Sequence, residues 1–390
     1  MKQQIKLAGL AVLMGVAAVP AVAQEKIKVG VIVSLSGAGA VLGQQARDGF
    51  NLAVKDLGGK MGGKDVEVVV VDDELKPDVA VTKVKGLLER DKVDFVVGPI
   101  FSNILGAIHK PVTENKTFLI SPNAGPSSFA GKECNPYFFV TSYQNDQIHQ
   151  ILGKVAQERG YKKIYLMTPN YQAGKDFVAG VKMDFKGEIV EESFLPLGTL
   201  DFQAELSKIA AAKPDAVLTF MPGGMGVNLV KQYKQAGRLD RVPFLSTFTV
   251  DESTLPAQQD AALGMFGGSN WAPNLDNPQN KKFVAEYEKA YNSVPATYAF
   301  QAYDAAMLIN SAVVAVKGDL SDKAKVAAAM KKADFKSLRG DFKFSANGYP
   351  IQDFYLTKVA KRADGKFQTE IAQKVFTNYA DKYAASCTPQ

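Results

Sequence analysis

Histidine and cysteine are nearly absent from this chain of 390 residues, which has two of each and a single tryptophan. With so few ligands, zinc fingers, His-rich metal cages and iron–sulfur clusters are excluded. A nucleophile–histidine pair would have to use His109 or His149, so nucleophilic catalysis of that kind is not expected. A strong excess of one charge is missing too. Lys and Arg number 46 against 40 Asp and Glu, a net charge of +6, and the basic residues are dispersed rather than massed. A nucleic-acid surface is therefore not expected. Beyond the N-terminus no run of 18 apolar residues occurs, so the pattern is not that of a multi-span membrane protein. Hydrophobic residues make up 46% and charged residues 22%. That composition argues against long disorder, and the length is enough for two or three domains with sizeable cores.

The first 23 residues read as a secretory signal peptide. Lys2 and Lys6 form a short basic region, residues 7–19 are apolar or small, and Pro20 ends the run. Ala21-Val22-Ala23 fits the small-x-small rule, so cleavage is expected after Ala23. The apolar stretch is short for a bilayer anchor. No cysteine lies near the cleavage point, so a lipid-anchored form is not expected. Export to the periplasm would put Cys134 and Cys387 in an oxidising space, where an even pair predicts one disulfide.

After the leader, short Val- and Ile-rich runs alternate with stretches of helical spacing. Strands are expected at 26–33, 66–71, 94–97 and 117–120, with helices at 42–57, from Pro77, and at 102–115. The series then restarts, with strands at 163–167, 188–194, 216–220, 243–245 and 264–268 separated by helices. Three further helices, at 278–292, 297–316 and 321–332, precede late strands at 341–344, 353–360 and 366–375. Near-continuous apolar strands alternating with helices predict an α/β fold with parallel sheets covered on both faces. Two such series predict two similar lobes.

The glycine-rich motifs do not carry nucleotide chemistry. Gly37, Gly39 and Gly43 follow a strand and open a helix, but their spacing is one residue too long for a dinucleotide fingerprint. A close approach of ligand or neighbouring backbone is the better reading. Residues 58–65 approach a phosphate loop, but follow a helix and precede a strand, the reverse of the required order. Asp72, Asp73 and Glu74 stand just before a helix and are read as capping it. No close group of acids and histidines has metal-ligand spacing, and no cofactor is expected. Two loops following parallel strands, 98–103 and 121–126, lie where ligands bind in open α/β sheets. Ser102 begins a helix, whose free N–H groups suit an anion, though simple capping would use the same serine. The second series contributes Asn170-Tyr171, Phe220-Met221, Thr247-Phe248 and Trp271 at its strand ends, the makings of an apolar, aromatic pocket wall.

The order and spacing of 27–43 (IKVGVIVSLSGAGAVLG), 70–80 (VVDDELKPDVA), 95–102 (FVVGPIFS), 120–125 (ISPNAG), 199–206 (TLDFQAEL) and 300–308 (FQAYDAAML) resemble the branched-chain-amino-acid-binding family of bacterial periplasmic receptors for ABC importers. The resemblance spans nearly the whole mature chain. It implies the type I periplasmic binding fold, with two Rossmann-like lobes joined by three crossovers near 143–147, 272–276 and 350–353. The lobes would comprise 24–143 with 276–350, and 144–275 with 351–390. It also implies a monomer that closes on a small molecule and delivers it to an inner-membrane permease. A sensory ectodomain would share this pattern, and a nucleotide-dependent oxidoreductase is the remote alternative. In the family a serine and backbone groups of the first lobe hold an amino acid's carboxylate; Ser102, Asn123 and Gly125 match them. The family's ammonium-binding acid aligns with Phe248, and Asp251 is the nearest acid. A buried ammonium without an acidic partner would be costly. The expected ligand is therefore a small aromatic carboxylate, benzoate-like or phenylpropenoate-like, with a branched-chain amino acid as the alternative. Tyr143, Tyr171, Met221, Phe248 and Trp271 are expected around the ring, with Leu42 and Phe101 over it.

Overall fold

The computed structural model describes residues 26–237 and 241–388; the expected signal peptide lies outside them. The first sheet is built from β1 (Ile27–Val33), β2 (Lys60–Met61), β3 (Lys64–Asp72), β4 (Phe95–Val97), β5 (Phe118–Ser121) and β6 (Phe138–Val140), in the order β2-β3-β1-β4-β5-β6. All neighbours are parallel except the β2–β3 hairpin. The second sheet contains β7 (Lys163–Pro169), β8 (Glu188–Leu195), β9 (Ala216–Phe220), β10 (Phe244–Thr247), β11 (Phe266–Ser269), β12 (Lys343–Phe344), β13 (Pro350–Lys361) and β14 (Phe367–Tyr379). Its order is β12-β13-β11-β10-β9-β7-β8, with β14 on β13. The strands from β7 to β11 run parallel, and β12, β13 and β14 add antiparallel pairs. Strands β4, β5 and β9 are buried along their whole length, as expected where helices cover both faces.

The helices are α1 (Ala40–Asp56), α2 (Pro77–Glu89), α3 (Ser102–Glu114), α4 (Asn145–Glu158), α5 (Gln172–Asp184), α6 (Gln203–Ala212), α7 (Gly224–Gln235), α8 (Leu255–Gln258), α9 (Pro278–Tyr291), α10 (Thr297–Ala315) and α11 (Lys323–Lys332). Helices α9 and α10 return to the first sheet and pack on α1, so that lobe is closed by chain that follows the second sheet's parallel strands. Asn277 caps α9 as a proline at the first turn requires, its side chain accepting from the Asn280 N–H at 2.8 Å.

One expectation is corrected here. Asp72 and Asp73 do not cap α2. Lys76 occupies the N-cap and no side chain caps that helix. Glu74 and Leu75, both at positive φ, make a turn that separates the two acids from it. Asp72 instead accepts from the N–H of Leu35 and of Glu74, and Asp73 from the Ser34 hydroxyl and the Leu75 N–H. The acids thus fasten the loop after β3 to the loop after β1. Gly43, in the first turn of α1, allows that helix to approach the latter loop closely: a Cβ there would lie 1.8 Å from the Ser34 carbonyl oxygen.

The three passages between the lobes meet at one buried polar knot. The Ser142 carbonyl accepts from Asn270 Nδ2 at 2.9 Å, Gln352 Nε2 at 2.7 Å and the Arg339 guanidinium at 3.2 Å. Arg339 also donates to Gln352 Oε1 at 2.6 Å and to Asp304 Oδ2 at 3.1 Å. Ser142, Asn270 and Arg339 with Gln352 come from three separate stretches of chain, so this network ties those stretches together.

Cys134 and Cys387 form the expected disulfide, 253 residues apart. It fastens the tail that follows β14 to the loop before β6. Such a long loop predicts a stabilisation of about 2–4 kcal/mol. Reduction should therefore lower the urea midpoint of the folded chain. Two alkylatable thiols in the unreduced, unfolded protein would contradict the bond.

Candidate functional site

Each sheet has a topological switch point, where successive connections leave on opposite sides of one strand. In the first sheet it lies between β1 and β4, which end in the loops bearing Gly37–Gly39 and Phe101-Ser102. In the second it lies between β7 and β9, whose ends lead to Tyr171 and to Met221–Gly223. The two switch points face each other and touch. A Cβ on Gly223 would sit 2.5 Å from the Ala38 carbonyl oxygen and 3.6 Å from Leu42 Cδ1. The Phe101 and Tyr171 rings are 6.3 Å apart. Ser127, beyond β5, donates its hydroxyl to Asp176 of α5 at 2.6 Å.

Between these edges lies a cluster of rings. Phe248 stacks on Tyr143 at 5.1 Å and 27°. It also meets Phe220 edge-on at 6.0 Å and Tyr298 at 6.1 Å. Tyr171 stacks on Phe220 at 6.1 Å. His149 packs against Phe220 at 4.9 Å, its Nδ1 2.7 Å from Thr247 Oγ1. Phe248 has φ +54°, an uncommon left-handed conformation for a bulky residue, of the kind that clusters at binding sites.

The polar side of the cluster belongs to the first lobe. Helix α3 follows Phe101, whose side chain cannot cap, and no other side chain caps it. Its first N–H groups therefore present partial positive charge at the cleft. Ser102 Oγ accepts from Asn145 Nδ2 at 3.1 Å, leaving its own proton to donate. Asn123 braces the wall: its amide donates to the Ile100 carbonyl at 2.7 Å and accepts from the Tyr143 hydroxyl at 2.9 Å. The Gly125 N–H is already engaged, donating to Asn145 Oδ1 at 3.0 Å.

Burial keeps these groups neutral. It pushes the Tyr143, Tyr171 and Tyr298 hydroxyls well above the usual range, and lowers His149 to about 3. Lys and Arg make no ion pair with the acids nearest the rings, Asp176 and Asp251, among the described residues. Rings on one side and the uncapped N–H groups of α3 on the other are the chemistry that suits a flat apolar body with one anionic end. Among the described residues no three His, Cys, Asp or Glu side chains are grouped to hold a metal.

Of the expected site residues, Leu42, Phe101, Ser102, Asn123, Gly125, Tyr143, Tyr171 and Phe248 converge on this cleft. Met221 does not join the rings. It packs in the second lobe's separate core with Met225 and Leu229, while its neighbour Phe220 faces the cleft. One step along a strand reverses the face. Trp271 also stands apart, stacked on Phe300 at 4.9 Å with its indole N–H donating to Asn280 Oδ1 at 2.7 Å. It anchors the second passage between lobes. Phe220 was named with Met221 at a pocket-wall strand end but was not among the residues expected around the ring, and Asn145, His149 and Tyr298 were not expected at the site. Phe220 had a signal, its place at the end of β9; Tyr298 had none, because only the folding back of α10 brings it to Phe248.

Just past Phe248, Glu252 is buried and accepts from both the N–H and hydroxyl of Thr369. Burial, reinforced by Asp251, pushes its carboxyl up to about 7. Folding therefore favours the protonated acid, and stability from this group falls as pH rises from about 4.5 through 7. Glu252→Gln keeps an oxygen for Thr369 and does not titrate. Its melting temperature should match wild type near pH 4.5 and exceed it at pH 8; parallel melting profiles would contradict this.

Comparison with known proteins places this geometry. Residues 26–366 match the family described as periplasmic binding protein. "Leu/Ile/Val-binding protein homolog 6" of Brucella melitensis is 30% identical over 360 residues, 90% of this chain and 91% of that protein. A solute-binding protein of an ABC transporter from R. palustris, solved in complex with benzoate, superposes with a TM-score of 0.88 at 34% identity, covering 93% of this chain and 99% of that one. A second, from Rhodopseudomonas palustris in complex with 3,4-dihydroxy benzoic acid, gives 0.86 at 32% identity over 92% and 99%. The sheet order, the facing switch points and these matches agree: the chain belongs to the periplasmic binding protein family, with the two-lobed type I fold.

Proposed function

We propose that this chain is an exported, monomeric receptor of an ABC importer that binds a small aromatic monocarboxylate, benzoate-like or phenylpropenoate-like, and does no chemistry on it. The observation that carries the reading is Phe248. At the strand end where an amino-acid receptor needs an acid, this chain presents a ring stacked on Tyr143 and bordered by Phe220 and Tyr298. Tyr171, Phe220, Phe248 and Tyr298 enclose the ligand's ring, with Leu42 and Phe101 on the first-lobe side. Offset ring pairs contribute about 0.5–1.5 kcal/mol beyond burial. Ser102 and the first turn of α3 receive the carboxylate. The lobes, divided near residues 143, 275 and 350, close on the ligand about the Ser142 knot. The benzoate and dihydroxybenzoate complexes of the similar receptors support this reading.

Calorimetric titration with benzoate, cinnamate, leucine and isoleucine tests it. Micromolar binding of an aromatic acid, about −8 kcal/mol, is expected. Tight binding of leucine with no response to any aromatic acid would overturn it and favour the amino-acid reading that the Leu/Ile/Val-binding relatives carry.

A further inference from the structure

Of the buried side-chain polar atoms left without a hydrogen-bond partner among the described residues, Asp251 Oδ2 is the one in the loop that Phe248 begins. Asp251 lies three residues beyond Phe248 in the loop after β10, and is 7% exposed. Its Oδ1 accepts from the Ser253 N–H at 2.8 Å and from the Ser253 hydroxyl. Its Oδ2 is buried with no hydrogen-bond partner among the described residues. The loop that carries it begins at Phe248, whose ring stacks on Tyr143 at 5.1 Å and meets Tyr298 at 6.1 Å, so Asp251 belongs to the second-lobe edge of the ring cluster. Among the described residues, the Tyr171 and Tyr298 hydroxyls make no hydrogen bond.

A buried acceptor left without a donor costs roughly 1–3 kcal/mol, and more when charged. Native interiors seldom keep one without a reason. Benzoate itself would not satisfy it, because its only polar atoms are the carboxylate oxygens, which Ser102 and α3 occupy. A phenolic hydroxyl elsewhere on the ring would bring the missing donor. Its oxygen could in turn accept from the free Tyr298 hydroxyl.

We propose that Asp251 is a specificity-determining residue whose Oδ2 accepts a hydrogen bond from a hydroxyl on the ligand ring, so that the preferred ligand is a hydroxylated aromatic carboxylate rather than its unsubstituted parent. This rests on the aromatic-carboxylate reading above. A site built to bond a hydroxyl rejects the analogue lacking it, because a buried polar group is then left unpaired.

The test is calorimetry on the mature chain with benzoate, 3- and 4-hydroxybenzoate, cinnamate and 4-hydroxycinnamate, for wild type and Asp251→Asn. The variant keeps size and an oxygen for Ser253, and a melting curve establishes that it folds; should it not, Asp251→Ser is read in its place. At least one hydroxylated acid should bind wild type about tenfold or more tighter than its parent. In the variant that ratio should fall close to one. Equal affinities for every hydroxylated acid and its parent in wild type, or a preference that persists in the variant, would overturn the proposal while leaving the aromatic-carboxylate reading intact. Failure of wild type to bind any aromatic acid, with leucine bound, would remove that reading itself.

Discussion

Phe248→Ala should weaken benzoate binding about a hundredfold or more and leave the chain folded. Truncating an aromatic side chain in a packed site costs roughly 3–5 kcal/mol, and each 1.4 kcal/mol is a factor of about ten in affinity. Some of that cost falls on the free protein, since Phe248 stacks on Tyr143 and meets Phe220 and Tyr298. The left-handed backbone at this position strains alanine as well, so relief of strain does not offset the loss. Calorimetry beside a melting curve separates the two effects. A variant that melts normally and still binds benzoate as wild type does would show that the ring does not rest on Phe248.

Arg339→Met is expected to destabilise the protein by about 3–5 kcal/mol, the usual cost of removing one member of a buried ion pair. The Arg339 and Asp304 side chains are 4% and 0% exposed, so solvent cannot replace the lost partner. The Asp304 carboxyl would be left with only the Ser337 hydroxyl and the Leu338 N–H. The Ser142 carbonyl and Gln352 would lose a shared donor at the hinge. Replacing both charges, Arg339→Met with Asp304→Leu, should recover part of the loss, because no uncompensated charge then remains buried. Urea unfolding of the single and the double variant beside wild type measures this. A single variant as stable as wild type would mean that the knot does not hold the lobes together.

Much of the frame was legible because parallel strands buried on both faces leave continuous apolar runs. The strand ending at Val97 and the helix starting at Ser102 follow from such a run and the loop after it. Compartment chemistry was enough to pair Cys134 with Cys387. The candidate site was legible where it sits at strand ends, as at Ser102, Tyr171 and Phe248, which the fold brings to one cleft. It was not legible where position depends on which face a residue takes as a strand ends, as with Phe220 and Met221. Nor was it where a contact arises only after distant chain returns. Tyr298, Phe300 and Tyr303 lie within one helix, yet they meet Phe248, Trp271 and Asp56 respectively. The Ser142 knot escaped reading for the same reason. Its members lie far apart in sequence, and each is an ordinary polar residue until the lobes are assembled.

The most direct test of the central claim is a crystal structure of the mature protein grown with benzoate. The account predicts the ring between Phe248 and the first-lobe wall, with the carboxylate about 3 Å from Ser102 Oγ and the first N–H groups of α3. A benzoate whose carboxylate points into the second lobe, or a cleft holding an amino acid with its ammonium on Asp251, would contradict it.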